Sequence, residues 1–259
     1  MPPKTRRAAP MPNTGEVINM NANQPQGAAP SLRGAAFIAG IAYLIAIFAT
    51  PYAWINPLID VGDSAATFSN LVAEEFLFRL AIACWLLVIV ADTVVAWALF
   101  HFFAYTNKGL SLLALCLRLI FAPIMALAVF QWLGALQFIA TGNGLTGEAL
   151  QSAQDQSMRY LVGYEYAVNI AFMLFGLHVG VIGYLALRSK HVPWILGVFL
   201  MIACVGYQID AYASIMSESY AADPKWFLVT IAVPAFFSEF GLTLWLLFKG
   251  AWLKEEGRA

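Results

Sequence analysis

The sequence predicts an all-α fold: a polytopic membrane helical bundle of six transmembrane helices, with both termini in the cytoplasm. Three observations predict it. The chain is 61% hydrophobic and only 11% charged over 259 residues, whereas soluble globular proteins carry about 25% charged residues. Its apolar residues gather into runs of about 20 or more, the length that crosses a bilayer core. Its basic residues sort between alternate loops, which is how orientation is set in the membrane.

The chain opens with MPPKTRRAAPMPNTGEVINMNANQPQGAAPSLR. This stretch, 1–33, has too few apolar residues to offset its ordering entropy and reads as a disordered cytoplasmic tail. Its positive residues lack the apolar run of a cleavable signal peptide. The membrane domain follows over 34–250, and 251–259 is a second, short cytoplasmic tail.

Span one runs over roughly 35–55. NPLIDVGDSAATFSN, from Asn56, then breaks the apolar run. Asp63 and Ser64 are both good N-caps for a short interfacial helix. Spans two and three, roughly 78–104 and 110–140, flank a short basic turn at Lys108. TGNGLTGEALQSAQDQS, from Thr141, reads as the longest internal loop, with room for a short surface helix. Spans four and five, roughly 161–187 and 192–215, flank a second basic turn, RSKH. Span six covers roughly 226–249. Trp54, Trp194 and Trp226 fall at span ends, where tryptophan anchors helices to the interface. Pro123 and Pro234 lie inside spans three and six and are expected to bend them.

Of the fourteen basic residues, ten share one side: Lys4, Arg6, Arg7, Arg33, Lys108, Arg188, Lys190, Lys249, Lys254 and Arg258. Arg79, Arg159 and Lys225 lie on the other, with most of the acids. The positive-inside rule therefore places both termini in the cytoplasm. The net charge of −1 gives no pull toward nucleic acid; the expected partner is the lipid bilayer. Cys84, Cys116 and Cys204 lie singly inside apolar runs, with neither disulfide nor metal-ligand spacing. No nucleotide fingerprint or catalytic metal motif occurs, so no cofactor and no metal are expected.

The stretch EEFLFRL, from Glu74, resembles the opening signature of intramembrane endopeptidases of the CAAX type. That resemblance implies a glutamate general base, completed by histidines that hold the water and the developing oxyanion. The chain's three histidines, His101, His178 and His191, do not stand in the spacing this needs. The simpler reading is a collar ion pair. Glu75 precedes Arg79 by four residues, the favourable order on a helix. On that reading no residue is assigned a catalytic role.

Four ionisable residues fall inside spans: Asp92, Arg118, His178 and Glu239. Charges there are expensive and usually face a partner or a wet cavity. At 1.5 Å per residue, Arg118 lies about 12 Å from the cytoplasmic end of its span, His178 and Glu239 about 15 Å, and Asp92 about 18 Å. Four residues on four spans thus share one slab about 6 Å thick. They are the candidate ligand-binding cluster, able to take a proton or a small polar molecule. The alternative is a satisfied polar clasp that fixes helix register. Two acids and one arginine leave one negative charge, which a protonated His178 or one protonated carboxyl would cancel. Gln208 and Asp210, near the outer end of span five, form a secondary polar group, either lining a mouth or capping the span. Gly176, Gly180 and Gly183 put small residues on span four, as close helix approach requires.

These same residues carry a wider resemblance. LFRLAI from Leu77, the Asp of VADTVVAW, the Arg of LCLRLIFAP, GLHVGVIGYLALRSKHVPWILGVFLMIACVGYQID from Gly176 and the C-terminal SEFGLTLWLLFKG are similar to domain-of-unknown-function family 4386. Its members are mostly bacterial integral membrane proteins. The resemblance covers roughly 35–250 and implies a single helical domain in the bacterial inner membrane. It implies no reaction. Three functional readings stay open: ligand or proton handling at the buried cluster, an intramembrane hydrolase using Glu75, and an accessory subunit packing on a partner.

Overall fold

The computed structural model describes residues 30–50, 55–217, 220 and 224–253. The expected tails, 1–33 and 251–259, lie outside those residues except for 30–33 and 251–253, where Leu32 and Arg33 already belong to the first helix and Gly250–Trp252 forms a 3-10 turn; Trp54 also lies outside the described residues.

Helix α1 (Leu32–Ala49) starts where Ser31 accepts a hydrogen bond from the Gly34 N–H, 3.1 Å away. Its buried face is mostly alanine at helical spacing: Ala35, Ala39, Ala42, Ala46 and Ala49, with Tyr43 among them. So small a face lets a neighbouring backbone come close. A 3-10 turn (Asn56–Leu58) leads to the short helix α2 (Ser64–Ala73). Asp63 caps it, accepting from the Ala66 N–H at 2.9 Å, as its sequence suggests.

Helix α3 (Glu75–Ile139) is 65 residues long but is not one rod. Asn107 has φ −158° and ψ 107°, an extended conformation, and its side chain accepts from the Leu110 N–H at 3.0 Å. It ends one arm, 75–106, and caps the next, 108–139, as N-cap asparagines do. The arms run antiparallel. Phe78 meets Trp132, Asp92 meets Arg118, and Ser111 donates to the Phe100 carbonyl at 2.8 Å. Pro123 does not end the second arm, which stays helical through it.

Helix α4 (Gly147–Arg188) corrects one expectation. The loop from Thr141 closes by residue 146, and no separate surface helix follows it. GEALQSAQDQS is instead the first three turns of α4 itself. Ala153, Ser157 and Leu161 recur on one buried face there, and no glycine or proline interrupts them after Gly147. Helix α5 (Trp194–Met216) returns antiparallel to α4. At their crossing, a Cβ placed on Gly183 would lie 3.1 Å from the Gly197 carbonyl. The glycines expected to allow close approach do so.

The last helical stretch, 224–248, is irregular. α6 (Pro224–Phe227), α7 (Val233–Ala235) and α8 (Gly241–Phe248) are separated by two π turns, Leu228–Ala232 and Phe236–Phe240. Pro234 cannot donate an N–H to the preceding turn, and wider turns on both sides absorb the mismatch. This stretch packs back on α1: a Cβ on Gly40 would meet Leu247 at 2.6 Å, and Arg33 Nε donates to the Leu253 carbonyl. α1, α3, α4 and α5 are each long and apolar enough to cross a membrane. Large apolar side chains such as Phe48, Leu127, Phe130 and Val205 face outward, a surface that suits lipid rather than water.

Candidate functional site

The centre of the bundle is built around Arg118. It is placed there by the second arm of α3 and is 2% exposed. A guanidinium has five N–H donors and no acceptor. One terminal nitrogen lies 2.5 Å from Asp92 Oδ1, on the first arm. The other donates to the Tyr43 hydroxyl at 2.9 Å and to His178 Nε2 at 3.0 Å. The guanidinium is also sandwiched, with its carbon 4.9 Å from the ring centres of both Tyr43 and Phe175. Such desolvated cation–aromatic contacts are worth about 2 kcal/mol. Four helical arms therefore meet on one side chain.

The hydrogen bonds fix the state of His178. Arg118 can only donate, so Nε2 must accept and carries no proton. The Ala114 carbonyl, 2.8 Å from Nδ1, can only accept, so Nδ1 carries the proton. His178 is thus the neutral Nδ1–H tautomer. The protonated histidine considered as a counter-charge is not compatible with this arrangement. Asp92 and Arg118 cancel each other, and the three-residue cluster is neutral.

Glu239 stands apart from that clasp. It lies on the second π turn, is half-buried, and accepts from the Tyr207 hydroxyl at 2.9 Å. No cation pairs with it among the described residues. It is linked to the clasp through aromatic rings. Tyr207 packs edge-on against Phe175 with centroids 5.3 Å apart, and Phe175 covers Arg118. Its electrostatic neighbours are Arg118 and Asp92.

Gln208 and Asp210 do not act together. Gln208 donates to the Met173 carbonyl on α4 at 2.8 Å, while Asp210, buried, accepts from the Tyr220 hydroxyl at 2.9 Å. Glu75 and Arg79 form their ion pair at 2.7 Å, with half of the arginine side chain in solvent. No histidine adjoins Glu75. His101 packs edge-on against Trp97 and Phe100, His178 is held by Arg118, and His191 lies exposed in the turn between α4 and α5. No group of three potential metal ligands occurs among the described residues.

Sequence reasoning missed Tyr43, Phe175 and Tyr207, because it searched for charge. Tyr43 had a legible signal. It lies 11 residues into α1, about 17 Å deep at the helical rise, in the same slab as the ionisable four.

Residues 38–250 match the family described as "Domain of unknown function (DUF4386)". A relative from Archaeoglobus fulgidus, bearing the name "Uncharacterized protein", is 25% identical over 169 residues, covering 65% of this chain and 83% of its own. No solved structure matches the chain.

Proposed function

Since the chain belongs to the DUF4386 family, whose description assigns no reaction, we propose a reading that rests on the geometry of the bundle. The protein is a six-span integral membrane protein with both termini in the cytoplasm. Arg118 and its partners are the fixed structural centre, and Glu239 is the group that takes up a proton or a small polar ligand.

Both arms of α3 are 32 residues long, 75–106 and 108–139. Each is about 48 Å in length, more than the roughly 30 Å of a hydrocarbon core. Counting the arms separately and adding the 224–248 stretch gives six. The even number agrees with the charge asymmetry that puts both termini on the basic side.

One observation carries the functional reading: Glu239 is a carboxyl in the apolar slab whose hydrogen-bond partner is a hydroxyl and which forms no ion pair among the described residues. Asp92 has an arginine at 2.5 Å and is thereby neutralised. An intramembrane carboxyl without a counter-charge is a mark of proton or ligand handling. Its place on a π turn supports this, because such turns recur at functional positions. The hydrolase reading has less support, with Glu75 bonded to Arg79 and each histidine engaged or exposed elsewhere.

The test is infrared difference spectroscopy on the reconstituted protein across a pH titration. A carboxyl C=O band that appears with proton uptake and vanishes in Glu239→Gln supports the reading. A titration that is identical in wild type and variant overturns it and leaves the accessory-subunit alternative.

A further inference from the structure

Outside the central cluster, a groove of about 520 Å³ opens on the outer face between the second arm of α3, α4 and α5. Leu110, Leu177, Tyr184 and Met201 line it, and Gly180 and Cys204 form its floor. The floor stays low because α4 and α5 touch there. A Cβ on Gly180 would lie 2.6 Å from Cys204 Sγ. Leu177, Tyr184 and Met201 are each about two-fifths exposed, so the groove is open to whatever surrounds the bundle.

One end of the groove is basic. Lys108 stands two residues before Leu110, and Arg188 and Lys190 follow Tyr184 by four and six residues; all three are exposed. The two turns, 105–111 and 186–198, contain no acid, and no carboxylate pairs with these cations among the described residues. Arg188 reaches a residue that lines the groove. Its guanidinium lies over the Tyr184 ring, 5.8 Å from the centroid. From Leu177 to Arg188 is 11 residues, about 17 Å of helix. That is close to half of the roughly 30 Å hydrocarbon thickness. An apolar groove whose far end lies about one leaflet from Arg188, next to turns that carry three cations with no carboxylate partner among the described residues, matches one kind of molecule in shape and charge.

We infer that this groove is a binding site for an anionic phospholipid. One acyl chain lies along Leu177, Gly180 and Met201, and the phosphate headgroup is held by Lys108, Arg188 and Lys190. A second copy of the chain is a poor occupant, because a symmetric contact would set the same three cations against each other. Basic clusters at the cytoplasmic ends of helices hold acidic headgroups by this chemistry. The inference rests on the membrane reading above but not on Glu239.

The full-length protein is reconstituted in phosphatidylcholine vesicles with trace spin-labelled lipid, the label deep on the acyl chain. Electron spin resonance then measures the motionally restricted fraction for phosphatidylglycerol and for phosphatidylcholine. Wild type should select phosphatidylglycerol several-fold. A Lys108→Gln, Arg188→Gln, Lys190→Gln variant should lose that preference, at up to about five-fold per charge. Leu177→Trp, which fills the deep end, should lower the restricted phosphatidylglycerol fraction at unchanged helix content. Equal restriction of the two lipids by wild type, or a preference that survives the triple substitution, overturns the site. Both leaflets have the same composition, so the assay reads the site whichever way the chain inserts. A wrong orientation and a missing lipid site therefore give different results.

Discussion

Replacing Arg118 with methionine should be the most damaging single polar-to-apolar change in the bundle. The side chain donates to Tyr43 and His178 and pairs with Asp92 at 2.5 Å. The two neutral partners account for little, since interhelical hydrogen bonds in membranes average about 0.6 kcal/mol each. The larger effect is Asp92, left charged and 4% exposed with no counter-ion. Breaking a buried pair from one side costs about 3–5 kcal/mol. The total for Arg118→Met is then about 4–6 kcal/mol. Adding Asp92→Asn removes the stranded charge, so the double variant should lose less than the single, by about 2–3 kcal/mol. Reversible unfolding in bicelles, by steric trapping, measures both. A single variant that loses under about 1 kcal/mol, or a double variant no better than the single, would refute the clasp as the bundle's structural centre.

Gly183→Leu should separate α4 from α5, because its Cβ would meet the Gly197 carbonyl and the Met201 nitrogen, each at 3.1 Å. Neither backbone atom can yield, and a loss of about 1–3 kcal/mol in the same unfolding assay is expected. Glu75→Gln removes an exposed pair and should change stability by less than about 0.5 kcal/mol; a larger loss would mean that the collar does more than stabilise one helix. In a variant with Cys84, Cys116 and Cys204 replaced, single cysteines at Gln151 and Lys190 report sidedness. An impermeant maleimide should label position 151 on intact cells and position 190 only after lysis, and the reverse pattern would invert the orientation.

Much of the bundle was legible because membrane solubility imposes a coarse rule on sequence. A helix needs about 20 apolar residues, and interruptions show as polar clusters. The TNKG turn is such a cluster, and the structure breaks at Asn107, between the two expected spans. The extension of α4 was not legible by that rule. Residues 147–160 are polar, so hydropathy marks them as outside the membrane and leaves their helicity unstated. Only the recurrence of Ala153, Ser157 and Leu161 carries the helical signal.

The cluster was legible in depth but not in direction. The helical rise gives a residue's height from sequence, and height alone put Asp92, Arg118 and His178 at one level. Which face each helix turns inward depends on packing against neighbours. That rotation gave Arg118 two aromatic faces and gave Glu239 to Tyr207. Tyrosine escaped the search because it carries no charge to mark it.

The break at Asn107 also bears on how the protein is made. Asp92 lies 15 residues before it and Arg118 11 residues after, so the pair closes within a single hairpin of contiguous chain. Each charge alone would resist transfer into lipid, by about 2.5–3.5 kcal/mol on insertion scales. Emerging together on neighbouring arms, they can leave the translocation machinery as one neutral unit, before α4 has been synthesised. His178 arrives 60 residues after Arg118 and meets an arginine already neutralised. Where the two arms insert as one hairpin, neither ion faces lipid alone, and a variant that lengthened the turn at Asn107 would be stressed first at insertion.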